Sequence, residues 1–359
     1  MTANSQRLTA AWFDGSIDFV DTDRWSCLTY WANGSRLMAH FSSLKLLVAI
    51  LLWPVMLCAQ GLPVLHPLNP VAESRTGLYF QPYRDPHPGW VRSVSLDYGS
   101  MLEINFRNSL ADTSLLVDAE VMRVNLVLSR DLGPSDFLTI EEFVGGSYNG
   151  FLDGFLNWYH GLFGIGFPER EDRPVNRFDY IVEPSGGPRL RRRASGAYLG
   201  DLRVGLGHRY DGRIQTHLSV TLPTTTASTG YGRGTVSVNL THTFRVPITP
   251  RLTYEGSLGT GFTPRHGDLA GHQERLFLML TSGARYRFLG RLSAFANFFY
   301  HTPYYRNTGD WSLDRKELTL DFGWVLRTRN GHEWRIGMTE DPWPSGPAID
   351  LSFRLGTSW

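Results

Sequence analysis

The chain has 359 residues, of which 19% are charged and 13% are aromatic, and its formal net charge is +1. A charged share below the roughly 25% of an average soluble protein, with 37 glycines and many aromatics, is typical of strands with tight bends. A net charge so close to zero creates no overall field towards nucleic acid, and nucleic acid is therefore excluded as a partner.

The first distinct element is an apolar run of 12 residues at 46–57. It is too short to cross a bilayer of about 30 Å as a helix. Lys45 precedes the run and the small residues Cys58 and Ala59 follow it, which is the order of a secretory signal. We therefore predict a signal peptide at 38–59, with cleavage after Ala59. A buried core helix is the alternative.

The boundaries around this run divide the start of the chain. Met38 would begin a signal of ordinary length, so residues 1–37 are interpreted as an extension beyond the true start. Cys27 and Cys58 both precede the predicted mature chain, which would then have no disulfide and no thiolate metal site. The proline-rich residues 60–89 are predicted to form an N-terminal segment that either plugs a lumen or hangs in the periplasm.

From residue 90 onwards, apolar and polar residues alternate in segment after segment. Around residue 218, for example, Leu218 and Val220 alternate with His217, Ser219 and Thr221. A helix does not keep a period of two, whereas a strand turns successive side chains to opposite faces. The predicted strands are 90–107, 116–131, 136–146, 197–210, 213–223, 234–247, 250–262, 273–289, 291–302, 315–329, 332–340 and 348–359.

Short and long connections alternate between these strands. The two-residue turn Asn330–Gly331 is a strong hairpin signal, whereas the connection at 147–196 is the longest. Bacterial membrane barrels have an even strand number, short periplasmic turns and longer outer loops. We therefore predict an all-β fold, a transmembrane antiparallel β-barrel of about 12 strands over residues 90–359, in a bacterial outer membrane. A soluble sandwich or barrel would not predict this order.

Aromatic residues near the strand ends are consistent with interface girdles. The last strand resembles the C-terminal signal of outer-membrane barrels, although it ends on Trp359 where most members have Phe. That resemblance implies recognition by the barrel assembly machinery. The girdle residues are Trp90, Tyr98, Tyr210, Phe262, Tyr286, Tyr300, Trp334 and Trp359.

The long connection at 147–196 departs from the period of two. Its spacing predicts a short amphipathic helix at about 151–163, followed by an irregular loop. The helix could constrict the lumen, lie on the rim with its aromatics in the outer leaflet, cap the barrel or bind a hydrophobic ligand. Its predicted hydrophobic face is Phe151, Phe155, Trp158, Tyr159 and Leu162.

A motif in this connection resembles an uncharacterised family of Gram-negative outer-membrane proteins, a domain of unknown function. The family has a Gly-Gly-x-Leu-Asp-Gly-like run followed by an aromatic-His pair and Phe-Gly, and a further likeness lies near Pro67–Pro70. The resemblance covers most of residues 62–359 and implies fold and location but no chemistry. The matching residues are Gly150, Leu152, Asp153, Gly154, His160, Phe163 and Gly164.

The predicted lumen carries charges of both signs. They suit a water-filled channel or a closed barrel with charges paired across its interior, and mixed signs argue against strong ion selectivity. The candidate lumen or constriction residues are Asp153, His160, Arg203, Arg213, Glu255, Arg285, Asp321 and Arg354.

Two other groups of residues suggest ligands. An arginine run in the long connection could bind the phosphates of lipopolysaccharide or form a solvated loop cluster. Asp153 and His160, seven residues apart, could act with Ser147 in lipid hydrolysis, but no Gly-x-Ser-x-Gly elbow occurs. The histidines show no short metal-ligand spacing, so neither a metal nor a cofactor is expected. The arginine run is Arg189, Arg191, Arg192 and Arg193.

The sequence favours an outer-membrane channel or passive transporter, not an enzyme, with the 147–196 connection constricting or capping the lumen. Its partners would be outer-membrane lipid and lipopolysaccharide, with an unknown solute. A closed structural or interaction barrel and a membrane-embedded lipid-modifying enzyme are the alternatives.

Overall fold

The computed structural model describes residues 62–66, 68–106, 113–162, 164, 173–341 and 346–359. The predicted extension at 1–37 and the predicted signal peptide at 38–59 lie outside the described residues, as does Phe163 of the family motif. Among the described residues, no helix is long and apolar enough to cross a membrane.

Most of the described chain is extended. The helices are α1 (Pro70–Glu73) and α2 (Asp153–Leu162), with a 3-10 turn at Ala270–His272. The strands are β1 (Trp90–Phe106), β2 (Thr113–Asp131), β3 (Asp136–Tyr148), β4 (Asp179–Val182), β5 (Leu190–Arg191), β6 (Gly196–Leu199), β7 (Arg203–Arg209), β8 (Ile214–Thr221), β9 (Ser237–Pro247), β10 (Leu252–Phe262), β11 (Leu276–Leu289), β12 (Leu292–His301), β13 (Glu317–Arg327), β14 (Glu333–Glu340) and β15 (Leu351–Ser358).

The sheet closes on itself. From β7 to β15 each strand pairs with the next, and β1 pairs with both β2 and β15 in antiparallel register, from Ser93 opposite Ser358 to Ser100 opposite Leu351. Strands β6 and β7 both pair with β3 and are two parts of one wall strand. The described wall is thus a closed antiparallel barrel of twelve strands, which confirms the predicted fold class. Strands β4 and β5 extend the sheet beyond β2.

The two faces of this wall differ as the alternation predicts. In β8, the side chains of Ile214 and Leu218 are 45% and 47% exposed, whereas Gln215 and His217 are 1% and 2% exposed. The first pair faces outwards and the second faces the lumen. Because apolar side chains cover the outer face, this face suits hydrocarbon rather than water.

The barrel has two different rims. At one rim, here called the short-turn rim, brief turns join the strands at 132–135, 210–213, 248–251, 290–291 and 328–332. Arg92 and Trp359 exchange backbone hydrogen bonds of 2.9 and 3.0 Å there. The opposite end, the long-loop rim, carries the connections that include 149–195 and 302–316.

Residues 62–88, here called the plug segment, occupy the lumen. The Leu62 amide donates to Glu255 near the short-turn rim at 3.1 Å, and Thr76 contacts His301 at the far end of β12 at 2.9 Å. The chain then returns, since the Tyr83 hydroxyl donates to the Asp211 carbonyl at 2.5 Å, again at the short-turn rim. The segment is therefore a hairpin that enters and leaves through one rim.

Candidate functional site: the lumen and the plug segment

The tip of the plug segment is a four-residue helix that the local sequence specifies. Asn69 caps α1, because its Oδ1 accepts from the Val71 amide at 2.9 Å, and Pro70 occupies the first helical position. The Asn69 amide group also donates to Glu103 at 2.8 Å and to the Ala348 carbonyl at 2.7 Å. One buried side chain thus starts the helix and attaches it to the wall.

A buried ion network holds the other end of α1. Glu73 accepts from Arg123 of β2 at 2.8 Å and from Arg233 at 3.1 Å. Arg233 also pairs with Asp201 at 3.2 Å. Because all four side chains lie almost entirely out of solvent, the loss of Glu73 would leave two buried guanidinium groups to share the single carboxylate of Asp201.

Arg75 fastens the tip to the outer connections without a carboxylate. Its guanidinium donates to the carbonyls of Thr263 at 3.2 Å, Pro264 at 3.1 Å and Glu274 at 2.8 Å. The Arg75 side chain is 1% exposed. Carbonyl groups accept from its two terminal nitrogens but supply no full negative charge, which makes this attachment weaker than the Glu73 network.

Glycines of the wall make room for the apolar side chains of the plug segment. A Cβ atom built on Gly261 would lie 3.1 Å from Leu78 Cγ, and one built on Gly259 would lie 3.1 Å from Leu78 Cδ2. A Cβ atom built on Gly283 would lie 2.7 Å from Leu62 Cδ1. Packing explains the glycines at these positions, since larger side chains would collide with the plug segment.

The returning arm of the hairpin binds lumen-facing polar groups. Gln81 donates to Glu141 at 3.0 Å and its carbonyl accepts from Thr243 at 2.9 Å. The Arg84 amide donates to Gln215 at 2.8 Å. Bonds to three separate strands fix this arm across the width of the lumen.

Little space remains beside the plug segment. Two cavities there measure about 20 and about 10 Å³, so that each holds about one water molecule. The first is lined by polar side chains that include His66, Glu73 and Arg203. Most of the polar side chains that line the first cavity, in the wall and in the plug segment, are themselves buried.

A second ion cluster lies within the wall beside the Glu73 network, because Asn125 contacts both Arg123 and Asp97. The Arg354 guanidinium donates to Asp97 and, at 3.1 Å, to Asp321. Both aspartates are fully buried, and Asp97 also accepts from Asn125 at 2.6 Å. The guanidinium of Arg354 on β15 therefore compensates two carboxylates, one on β1 and one on β13.

The long-loop rim is covered by inward-folded connections. Tyr180 donates to the Gly230 carbonyl at 3.4 Å, and Tyr231 donates to the Arg193 carbonyl at 2.7 Å. Tyr305 reaches the plug tip, donating to the Val71 carbonyl at 3.4 Å. Burial raises the pKa of Tyr305, which keeps its hydroxyl a neutral donor.

Helix α2 does not lie in the lumen, where a constriction was predicted. It lies on the outer face of the wall. Its buried residues Leu152 and Leu156 cluster with Leu351, Tyr98 and Met338, all in the outward-facing phase. The lumen is already filled by the plug segment, whereas the outer wall offers apolar side chains to this helix.

The predicted hydrophobic face of α2 is mostly turned away from the barrel. Phe151, Trp158 and Leu162 are 68%, 59% and 62% exposed. Phe155 lies against Phe353, with 5.8 Å between the ring centroids, and stacks on Tyr159 at 6.1 Å. The residues that contact the wall are Leu152, just before the helix, and Leu156. Helical spacing alone did not distinguish this side from the predicted hydrophobic face.

Glu120 is a site residue that the sequence analysis missed. It lies in the outward-facing phase of β2, opposite Tyr148, yet it is only 2% exposed. The Leu152 amide and the Tyr98 hydroxyl both donate to its carboxylate. The sequence did contain a signal for this site: Glu120 is a charged residue in phase with Met122 and Val124. A carboxylate on the outer face needs hydrogen-bond donors that shield it from lipid.

We expect Glu120→Leu to release α2 from the wall. Without the carboxylate, the Leu152 amide and the Tyr98 hydroxyl lose their acceptor, which should destabilise the docked loop by about 2–3 kcal/mol. Hydrogen exchange and limited proteolysis at residues 149–162 should both accelerate by about 30-fold or more, since 1.4 kcal/mol corresponds to a factor of ten.

Met122→Leu is the matched control, since Met122 lies next along the same face and is exposed. It should leave exchange at residues 149–162 unchanged. Equal protection of this loop in Glu120→Leu would mean that apolar packing alone docks the helix.

The other predicted lumen residues are dispersed. Arg203 contacts Glu141 at 3.9 Å, and Arg285 contacts Glu333 at 3.2 Å, both within the lumen. Arg213 instead lies exposed in the turn at the short-turn rim, because β8 begins one residue later, at Ile214. The lumen also contains Glu255, Asp321 and Arg354, as described above.

Asp153 and His160 belong to α2 and thus lie outside the lumen. Asp153 accepts from the Asn176 amide at 2.6 Å, which ties the helix start to the following loop. His160 packs beside Tyr159, with 5.7 Å between the centroids. Ser147 is buried in the lumen-facing phase of β3, so the wall separates it from α2 and the hydrolytic set is not assembled.

The arginine run lies in the connection at the long-loop rim. Arg189 pairs with Glu183 at 3.1 Å, Arg192 pairs with Asp268 at 2.5 Å, and Arg191 lies 3.9 Å from Asp179. Carboxylates thus contact three of its four arginines. No cluster of three potential metal ligands occurs among the described residues.

These features define a class: a closed twelve-stranded barrel with an apolar exterior and a lumen filled by an N-terminal hairpin. Residues 94–359 match the family model described as protein of unknown function (DUF3187), and the chain belongs to that family. This confirms the resemblance to an uncharacterised family. No curated protein matches the sequence.

Solved outer-membrane barrels have a similar fold. The COG4313 outer membrane channel from Pseudomonas putida F1 matches with a TM-score of 0.51 and 10% identity, over 77% of this chain and 96% of that one. The KdgM porin matches with a TM-score of 0.37 and 9% identity, over 74% and 98%. The Pseudomonas putida toluene transporter TodX matches with a TM-score of 0.37 and 8% identity, over 76% and 89%.

Proposed function

We propose that this protein is an outer-membrane channel or passive transporter whose lumen is closed by the plug segment. The observation that carries the proposal is the path of that segment, which enters and leaves through the short-turn rim. Such a hairpin can be withdrawn without threading a chain end through the barrel. Its polar attachments can exchange for water as it leaves, and its buried apolar side chains, such as Leu78 and Phe80, set the cost of release.

The proposed orientation places the short-turn rim in the periplasm and the long-loop rim outside the cell. Bacterial barrels of this type have short periplasmic turns and longer outer loops. The plug segment would then be released towards the periplasm.

We assign two different roles to the connection at 147–196. Strands β4 and β5 would cap the mouth, since Tyr180 and Val182 are buried towards the lumen. Helix α2 would anchor the barrel in the outer leaflet, because its exposed aromatics continue the apolar outer wall.

Two partners follow from the proposed location. The phosphates of lipopolysaccharide would meet the arginine run at the long-loop rim, where the Arg191 side chain is 76% exposed. The assembly machinery would engage β15, which pairs with β1 to close the barrel. Neither contact is needed for conduction through the lumen.

A reversible lock tests whether the plug segment must move. In Leu78→Cys/Gly261→Cys the two sulfur atoms would be within bonding reach, because a Cβ atom on residue 261 lies 3.1 Å from the Leu78 Cγ position. Cys27 and Cys58 would be replaced by serine to exclude other pairs. We expect the oxidised protein to be silent in a planar bilayer and the reduced protein to show channel openings.

Conductance that is equal under oxidising and reducing conditions would contradict gating by the plug segment. The single variant Leu78→Cys is the control, since it should respond to neither condition. If no variant conducts, the barrel is a closed structural or interaction protein.

A further inference from the structure

The short-turn rim combines exposed aromatics with an excess of arginine. Trp90, Tyr210, Trp334 and Trp359 are exposed on this end of the wall, where they mark the depth of the lipid headgroups. Among the described residues of this rim, the exposed arginines are Arg92, Arg130, Arg213, Arg291, Arg327 and Arg329.

The acidic groups at this rim are fewer and mostly engaged. Asp85 pairs with Arg245 at 2.7 Å and Asp136 pairs with His208 at 2.7 Å. Asp211 accepts from two backbone amides of its own turn. The remaining exposed acid of the described rim is the terminal carboxylate of Trp359, so the rim keeps a surplus of positive charge.

Two of the arginines lie in the outward-facing phase itself. Arg130 is opposite Trp90 in the β1–β2 ladder, and Arg92 is opposite Leu128, so both flank the indole on the lipid side. The Arg130 guanidinium lies 5.7 Å from the centre of the Trp90 ring. A guanidinium in this phase is costly in hydrocarbon and favourable only at the level of phosphate groups.

The described connection 179–195 at the opposite rim differs in how its arginines are paired. Arg189, Arg191 and Arg192 meet Glu183, Asp179 and Asp268. In that connection, acidic partners offset most of the arginine run.

We propose that the short-turn rim binds anionic glycerophospholipid headgroups through their phosphates, with Arg92 and Arg130 around Trp90 as the principal site. A guanidinium donates two parallel hydrogen bonds to a phosphate, and the adjoining indole packs along the glycerol and upper acyl region. Binding there would fix the depth of the barrel in the membrane. The proposal depends on the barrel lying in a bilayer and not on conduction.

The test compares lipid adducts on the folded, detergent-solubilised full chain by native mass spectrometry. Phosphatidylglycerol and phosphatidylcholine with the same acyl chains would be offered together. We expect the native protein to prefer phosphatidylglycerol, and each arginine removed in Arg92→Gln/Arg130→Gln to lower that preference about fivefold.

Two companion variants make the outcome specific. Arg92→Lys/Arg130→Lys keeps the charge and should retain most of the preference, whereas Arg275→Gln/Arg306→Gln at the other rim should retain all of it. The proposal is overturned if the native protein shows no preference, if Arg92→Gln/Arg130→Gln matches it, or if the distant pair lowers the preference as much.

Discussion

Deletion of residues 62–88 should turn the closed barrel into a steadily conducting pore. The wall retains its complete ladder of strand pairs without this segment, because no wall strand uses it as a partner. The polar side chains that it covers, such as Arg123, Arg203 and Glu141, would then be exposed to water and hydrated. We expect continuous ion conductance in a planar bilayer in place of the silent or briefly opening native protein.

The deletion needs evidence of folding and a control deletion on the outer face of the wall. Resistance to SDS at room temperature and a β-type circular dichroism spectrum would show that the barrel is intact. Removal of residues 151–162 is the matched deletion, and it should leave the barrel closed because α2 packs on the outer face. Added peptide with the sequence of 62–88 should lower the conductance of the deleted form.

A folded but silent deletion variant would refute the channel proposal. It would favour a barrel that is closed by its own wall side chains and its inward-folded loops. If instead the removal of residues 151–162 opened the pore, the helix would act on the lumen, against its position outside the wall.

The wall could be predicted from the sequence because its pattern is local. Each strand shows its two faces within a few residues, as in Gln215 and His217 against Ile214 and Leu218, and the turn at Asn330–Gly331 marks a hairpin. The ring of pairs then follows from strands that meet their sequence neighbours. Among the described strands, the pairing of β3 with β6 and β7 spans the long connection, and the closure between β1 and β15 joins the two ends of the wall.

The plug segment could not be placed by the same reasoning. Its contacts are specific but far apart in sequence, such as Asn69 with Ala348 and Arg75 with Glu274. Irregular backbone has no period to read. The available clue was indirect: Gly259 and Gly261 fall in the lumen-facing phase, where their missing side chains leave space for Leu78.

The position of α2 was ambiguous for a different reason. The helix has apolar residues on both of its long faces, so periodicity alone cannot select between Leu156 and Trp158 as the packed side. The choice depends on the wall, where Glu120 requires a donor and a cover. A phase violation in a neighbouring strand was thus more informative than the helix itself.

Arg354→Met should strongly destabilise the barrel. Its guanidinium is the shared partner of Asp97 and Asp321, which are both fully buried. Without it, two carboxylates remain in a poorly solvated part of the lumen, and breaking such a buried pair typically costs about 3–5 kcal/mol. Urea unfolding of the protein in detergent micelles, followed by tryptophan fluorescence, should show the midpoint falling with little change in slope.

Two comparisons separate the charge effect from lost packing. Arg327→Met removes an exposed arginine from the end of β13 and should change the free energy of unfolding by less than about 0.5 kcal/mol. The neutral set Asp97→Asn/Asp321→Asn/Arg354→Met should regain most of the loss, since no buried charge remains unpaired. A cost below about 1 kcal/mol for Arg354→Met alone would mean that water reaches both aspartates. The lumen at the level of these aspartates would then be open to water, and the plug segment would not seal it there.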